Sequence, residues 1–513
     1  MTSRRGDTRM GRMGHEIELK LSLPARSLPA LRRHPLVAGA QKLGQTVTLD
    51  NTYYDTPDLA LKARKVALRT RRQGRIWLQT VKCAAPSTGG LSQRPEWEQP
   101  YSGAFDFSAV DNPAAARLLI RHEADLVPAF TTRFRRETRL YSPAEGVEIL
   151  LMIDHGEILA VGRSAPICEL ELELQSGSAT DLLELACELA RSLPLMPGDV
   201  SKAERGYRLF LDQPLEPLRA EPSCLTPQMN LVDAFRGLAF AGLRQWQANA
   251  AGAAQNDAPE FIHQLRVALR RLRSLLRLFG PALPPDFVDE WNEHLRDTAA
   301  RFAEARDLDV LYEELLAPVE AEGLSRDEAL PRLLAIARTA RDQARDSAVR
   351  NLDAAGQGRL MLEFSLALHR LPSNNLIGAA DLTTFARLQL TRLRKKARRR
   401  FEAADKLIPA RLHALRIALK HLRYGVEFFG PLFPAKQVAR YLETLARAQD
   451  TLGFLNDVDV ARGRLESWAD EVEDLLAAAA FITGWHGPRY ARLRRRALQE
   501  AKPLLWGKAP WRA

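Results

Sequence analysis

Two short segments of this 513-residue chain place carboxylates at every second position. His15–Leu21 (HEIELKL) sets Glu16, Glu18 and Lys20 against Ile17, Leu19 and Leu21. Cys168–Leu174 (CELELEL) groups Glu169, Glu171 and Glu173 in the same way. Such alternation is a strand with one apolar and one charged face. Strand-like pieces at 66–72, 76–82, 133–140 and 148–154 add Asp154 to the acids and Arg69, Arg71, Lys82, Arg133 and Arg135 to the bases, with Lys202 further on. On one strand a charged row reads equally well as a solvated sheet face. Repeated over many strands it predicts an antiparallel barrel whose charged faces meet in a polar lumen. Charge enclosed there calls for a charged ligand. Carboxylates suit hard divalent cations such as Mg2+ or Mn2+, and Arg/Lys rows suit phosphate oxygens. A metal-bridged triphosphate satisfies both sets. There is no GxxxxGK[ST] loop, so P-loop chemistry is excluded.

Were such a bound triphosphate hydrolysed, water would attack a terminal phosphoryl group in line. Divalent metal would neutralise oxygens and ready the water, while the basic lining stabilises developing charge. No serine, cysteine or histidine nucleophile is required. His155 alternates to the face opposite Asp154 and reads as structural, as do Cys83 and Cys168.

These strands resemble the CYTH, or triphosphate tunnel metalloenzyme, family. The likeness rests on Glu16-x-Glu18-x-Lys20 followed in order by NTYYDT (51–56), LRTRR (68–72), TVK (80–82), EWE (96–98), RFRR (133–136), IDHGEI (153–158), ELELEL (169–174) and SKAERGY (201–207). It implies an eight-stranded antiparallel tunnel over 14–212 that hydrolyses triphosphates with a divalent metal. Carried over, Glu16, Glu18, Asp154, Glu169 and Glu171 hold metal, with Glu173 as an alternative to Glu169. Lys20, Arg69, Arg71, Lys82, Arg133, Arg135 and Lys202 hold substrate, and Glu16, Glu18, Lys20 and Lys82 are the catalytic set. Arg72 and Arg136 fall on the other face and read as structural.

Length and charge frame these elements. A chain of 513 residues with 46% hydrophobic and 27% charged residues affords large cores. No apolar run is long enough to span a membrane, and the opening MTSRRGDTRMGRM lacks the apolar stretch of a secretory signal. Cys83, Cys168, Cys187 and Cys224 show no paired or metal-ligand spacing, which favours a reducing, cytoplasmic location. Residues 1–222 carry 30 basic and 28 acidic side chains, whereas residues 223–513 carry 44 and 35. Between the two parts, residues 213–227 hold Pro214, Pro217, Pro222 and Pro227 and read as a linker.

From 228 to 513 the pattern is helical, and it repeats. His263, Arg266, Arg270, Arg273, Phe279, Gly280, Pro281, Asp307 and Asp309 return 150 positions later as His413, Arg416, Lys420, Arg423, Phe429, Gly430, Pro431, Asp457 and Asp459. This predicts a duplicated all-α bundle with pseudo-twofold halves over about 228–375 and 376–513. In 261–279 the basic residues fall three and four apart, a stripe opposite Leu265, Leu269, Leu272, Leu276 and Phe279. The segment holds five arginines and no acid; a third basic run, 387–400, holds eight Arg/Lys and again no acid. A merely solvated face would intersperse glutamates at i+4. Their absence, repeated in the second copy, favours a surface for a polyanion. Nucleic acid is the poorer candidate, because Tyr424 is almost the sole aromatic among these bases.

The paired His-x-x-Arg helices, with RDLDV (306–310) and NDVDV (456–460), resemble the CHAD domain. That resemblance implies inorganic polyphosphate binding through His263, Arg266, Arg270, Arg273, His413, Arg416, Lys420 and Arg423, and from it association with polyphosphate granules. The four repeated aspartates read as partners of the arginines or as helix caps. The whole chain then reads as an inorganic triphosphatase joined to a polyphosphate-binding module. The rivals are thiamine triphosphatase or adenylate cyclase chemistry on the same barrel, or a non-catalytic granule protein.

Overall fold

The computed structural model describes residues 14–83, 87–323, 328–372, 381–471 and 475–512, and within them every side chain except those of residues 14–16, 88, 94, 354 and 471. The chain folds as two units: Met1–Glu216 with Asp353–Arg370, and Pro217–Leu352 with Leu371–Ala513.

Eight long strands build the first unit: β1 (Gly14–Ser22), β2 (Val47–Asp55), β3 (Val66–Gln73), β4 (Ile76–Cys83), β5 (Leu91–Pro100), β6 (Val127–Ala144), β7 (Val147–Ala160) and β8 (Arg163–Ser176). All pair antiparallel, in the order β1-β8-β7-β6-β2-β3-β4-β5. β1 closes the ring by pairing with β8 on one side and β5 on the other, Glu18 lying opposite both Glu173 and Ser92. The result is a closed eight-stranded barrel, with no free edge among these strands.

The alternation determines which face goes where. The apolar residues point outward and are covered. Leu19, Leu21, Ile149, Leu151, Ile153, Leu170 and Leu172 pack under α1 (Ala179–Ala190), which contributes Leu182, Leu185, Ala186 and Leu189. Each such leucine is worth ~1.5–3 kcal/mol once buried. A capping box starts α1: the Ser178 hydroxyl and backbone N–H both donate to Asp181 Oδ2, at 2.7 Å each. On another side, the helix Pro113–His122 covers Val66, Leu68, Val81 and Trp97. The charged faces of β1, β3, β4 and β8 turn inward.

α2 (Lys202–Leu211) packs on β6, β7 and β8 and brings Tyr207 into an apolar cluster with Tyr53, Phe130 and Phe134. Gly206 is obligatory there, because a Cβ at this position would sit 2.0 Å from the Phe130 ring.

The second unit is all helical. It comprises α3 (Leu231–Ala253), α4 (Pro259–Phe279), α5 (Pro285–Ala300), α6 (Ala303–Val310), α7 (Ala329–Arg350), α9 (Leu382–Glu402), α10 (Pro409–Phe429), α11 (Ala435–Glu471) and α12 (Leu476–Trp506); α8 (Arg359–Arg370) belongs to the first unit. The offset of 150 holds to the residue, since α4 and α10 both start on proline and end on phenylalanine before a short 3-10 turn at Gly280–Ala282 and Gly430–Leu432. At the centre Phe279 meets Phe429 at 5.4 Å, with Phe235 and Phe385, themselves 150 apart, packed alongside at tilted or edge-on angles.

The boundary between halves expected at 375/376 lies outside the described residues. α8, which the sequence reading assigns to the helical part, packs Leu362 and Leu366 into the core beneath α1, and Arg370 donates to Glu184 at 2.7 Å. Among the described residues no helix is long and apolar enough to cross a membrane.

Candidate active site and cationic cluster

The acidic half of the lumen is built on β1, β7 and β8. Register sets Glu169 opposite Asp154 and Glu171 opposite Lys20. Asp154, Glu169 and Glu171 converge, each offering an oxygen within 4.8 Å of the others. Asp154 is fully buried. Lys202, at the start of α2, sits among all three carboxylates, 2.8 Å from Asp154, 2.9 Å from Glu171 and in contact with Glu169. Lys20 lies 3.3 Å from Glu18 and 3.5 Å from Glu171. Arg136 grips Asp154 bidentately at 2.6 and 2.7 Å and reaches Glu171 at 2.5 Å. Arg205 borders Glu169 at 3.5 Å.

Burial alone would favour a neutral Glu171, but Lys202, Arg136 and Lys20 outweigh it and hold the carboxyl well below the ordinary range. In the same way burial opposes charge on Lys20 and Lys202, yet the surrounding carboxylates raise both above the usual lysine value.

The basic half is built on β2, β3, β4 and β5. Arg69 lies 3.4 Å from the Tyr53 hydroxyl and 3.6 Å from Glu96. Arg71 donates to Asn51 Oδ1 at 3.0 Å and lies 3.6 Å from Glu98, while Lys82 meets Glu96 at 2.5 Å. Burial opposes ionisation of the Tyr53 phenol, but Arg69 and Lys82 lower it overall. Burial beside Arg69 pushes the Arg71 guanidinium down to about 10.

Glu18, Lys20, Arg69, Arg71, Lys82, Asp154, Glu169, Glu171 and Lys202 therefore share one enclosure. Glu16 stands on β1 two residues before Glu18, and its side chain lies outside the described residues. Glu173 is half-buried and accepts from Gln175 at 2.7 Å; the converging trio contains Glu169 in its place.

Arg133 and Arg135 do not join the others. They are exposed on the outer face, Arg133 paired with Asp50 at 2.6 Å, and Arg136 takes the inward place opposite Asp154. The reason is Phe134, which points inward beneath Lys202 and Arg136, at 5.0 and 5.5 Å. Its ring sets the phase of β6 opposite to the one a wholly polar lumen suggests. Arg72 and His155 are both exposed. Sequence reasoning missed Arg136, Arg205, Glu96, Glu98, Asn51 and Tyr53. The alternating Glu96-x-Glu98 and Asn51-x-Tyr53 were signals of the kind that exposed β1.

The residues fit a divalent cation. The trio is all carboxylate, the donor chemistry of hard ions, and together with Glu18 it sets four acids against Lys20, Arg136 and Lys202.

In the helical unit, α4 and α10 bring the two basic stripes together. Lys420 feels Arg270, Arg416 and Arg266, and burial with these cations pushes its ammonium down to about 7, against the opposing pull of Asp457. His263 is pushed down to about 4 by burial, Arg306, Arg270 and Lys420. Its Nδ1 and the Nε atoms of Arg266 and Arg270 are buried without a hydrogen-bond partner. Arg266 still donates from Nη1 to the Ala299 carbonyl at 2.9 Å.

His413 and Arg423 are engaged by Asn456 and by Glu427 at 2.8 Å, whereas Arg273 makes one long contact, from Nε to the neutral Asn292 at 3.4 Å. Asp309 pairs with Arg341 and Arg345 at 2.8 and 3.0 Å rather than with the stripe, and Asp459 accepts from Tyr490 at 2.9 Å. The third basic run is partly structural. Arg394 and Arg398 donate to the Leu504, Gly507 and Leu505 carbonyls at the end of α12.

A closed barrel with a charged lumen, followed by a duplicated helical bundle with a cationic centre, is the architecture of a CYTH domain joined to a CHAD domain. Residues 14–207 match the CYTH domain model and residues 238–466 the CHAD domain model, and the chain carries both. An inorganic triphosphatase of Haemophilus influenzae is 32% identical over 203 residues, 38% of this chain and 55% of that protein, so the chain spans about half the length of this relative. The CHAD domain from Ricinus communis is 28% identical, covering 57% of this chain and 98% of that one, with a TM-score of 0.49. A putative adenylyl cyclase from Hippeastrum, described as having a dominant triphosphatase activity, is 19% identical over 39% of this chain and 98% of that one, with a TM-score of 0.30.

Proposed function

We propose that the barrel is a divalent-metal-dependent inorganic triphosphatase that converts tripolyphosphate to diphosphate and phosphate, and that the helical unit binds inorganic polyphosphate. One observation carries the first part: the Asp154–Glu169–Glu171 trio shares an enclosure with Lys20, Arg69, Arg71 and Lys82. Asp154, Glu169, Glu171 and Glu18 would hold Mg2+ or Mn2+, which supplies charge neutralisation and a more acidic bound water.

The chain's own groups do the rest. Lys20, Arg69, Arg71, Lys82, Arg136 and Lys202 bind phosphoryl oxygens and keep the terminal phosphoryl in line for attack. The barrel wall excludes bulk water, so these cations act on the transferring oxygens at low dielectric. Lys20, Arg69, Arg136 and Lys202, all held above their ordinary values by neighbouring acidic groups, stay protonated through neutral pH, and Glu171, held below its ordinary range, stays ionised beside them. The second part is supported by the unpartnered Nε atoms of Arg266 and Arg270 beside Lys420, a positive field with donors left unsatisfied within the fold.

Phosphate release from tripolyphosphate, thiamine triphosphate and ATP, with and without Mg2+ or Mn2+, tests the reading. Tripolyphosphate turned over fastest, and lost in Glu18→Ala and Lys20→Ala, supports it. Equal turnover in wild type and both variants overturns it.

A further inference from the structure

The duplication lets each contact between α4 and α10 be compared with its mirror image. Position 271 corresponds to 421 and position 277 to 427. On one side of the helix pair Arg271 is ion-paired with Glu427, and its guanidinium lies over the rings of Tyr424 and Phe428 at 5.5 and 4.8 Å. On the symmetric side the same two places hold His421 and Arg277, with Arg277 Nη1 3.2 Å from His421 Nε2. The geometry is kept and the chemistry changes: a carboxylate seals one junction, and the other is left cationic.

The surroundings of the open junction have one dominant sign. Arg273 and Arg277 from α4, Lys396 from α9 and neighbouring Lys420 all act on His421, and burial with these cations pushes its imidazole down to about 4. At neutral pH it is an uncharged acceptor for Arg277. Asp297 acts on Arg273 at the edge of this group. Arg277 is exposed, so the junction is reachable from solvent. It also lies at the end of the α4 stripe, which runs ~21 Å from His263 to Arg277 at the helical rise.

We propose that Arg273, Arg277, His421 and Lys396 form a second anion-binding node, continuing the Arg266–Arg270–Arg416–Lys420 cluster on this side only, so that a long condensed-phosphate chain occupies both. The other side, where Glu427 is shared by Arg271 and Arg423 and so already occupies both guanidiniums, ends the track. The inference rests on the reading of the helical unit as a polyphosphate binder.

Titration calorimetry of the full chain without divalent ions, against tripolyphosphate and against long-chain polyphosphate, tests it. His421→Glu rebuilds on this side the carboxylate–arginine pair that the other side already carries, and Arg277→Ala reads the same node should that variant misfold. Both should weaken long-chain binding about tenfold, the worth of a lost charge-assisted contact. Tripolyphosphate, too short to reach both sites, should change by less than about twofold, and Arg277→Lys should restore most of the long-chain affinity. Unchanged long-chain binding in both variants, or equal losses for both chain lengths, overturns the node. Failure of the wild type to bind long chains overturns the parent reading instead.

Discussion

Replacing Arg136 by leucine should damage the barrel more than replacing any other arginine of β6. Arg136 makes two bonds to the fully buried Asp154 and a third to Glu171, and its side chain is only 15% exposed. Removing one partner of a buried pair costs ~3–5 kcal/mol, because the other charge stays behind unpaired. Lys202 remains 2.8 Å from Asp154 and 2.9 Å from Glu171. That points to the lower end, about 3 kcal/mol, or a fall of about 6–12 °C in Tm for a unit of this size. Arg133 is 66% exposed, and surface pairs of its kind are worth ~0–1 kcal/mol. Differential scanning calorimetry of the full chain, with phosphate release followed in parallel, separates the cases. Arg136→Leu should lower the barrel transition and cut turnover, while Arg133→Leu and Arg135→Leu should leave turnover near wild type. Turnover abolished in the latter two and intact in Arg136→Leu would refute the inward assignment.

Other consequences concern packing and protons. Gly206→Ala would drive a Cβ into the Phe130 ring, 2.0 Å away. It should destabilise the barrel by ~1–3 kcal/mol in denaturant unfolding and lower turnover through the displaced Lys202. Glu171 is held below its ordinary value by Lys202, Arg136 and Lys20. Its contribution is therefore present above the unfolded carboxylate value of about 4.3 and is lost as pH falls below it. The barrel Tm should drop on acidification through that range, and less steeply in Glu171→Gln. Lys420, pushed down to about 7, should regain its proton when a polyanion relieves the repulsion. Polyphosphate binding near pH 8 should then take up a proton, seen as a calorimetric enthalpy that depends on buffer ionisation; a buffer-independent enthalpy would contradict it.

Much of the architecture is legible in the chain because the barrel writes its two faces with period two. Glu18, Lys20, Glu169 and Glu171 alternate with leucines that the structure buries under α1. The helical duplication is equally legible, since an offset of 150 is conserved to the residue at α4 and α10. β6 resists reading because RFRR offers two phases, and only the packing of Phe134 under Lys202 selects the one that takes Arg136 inward. A basic run also looks the same whether it awaits an anion or caps carbonyls. Arg394 and Arg398 show the second use, and the last turn of α12 that they cap lies more than a hundred residues away in sequence. Nor could spacing alone assign α8 to the barrel unit, because its apolar face finds α1 only in three dimensions.

The central claim is that the barrel's inner charges grip a chain of phosphates through a divalent ion. A crystal structure of the full chain with Mn2+ and a non-hydrolysable triphosphate analogue, read by anomalous scattering, tests it most directly. Manganese bound by Asp154, Glu169 and Glu171, with phosphoryl oxygens on Lys20, Arg69, Arg71 and Arg136, is the predicted result. Metal and analogue bound on the outer face by Arg133 and Arg135, with the enclosure unchanged, would contradict it.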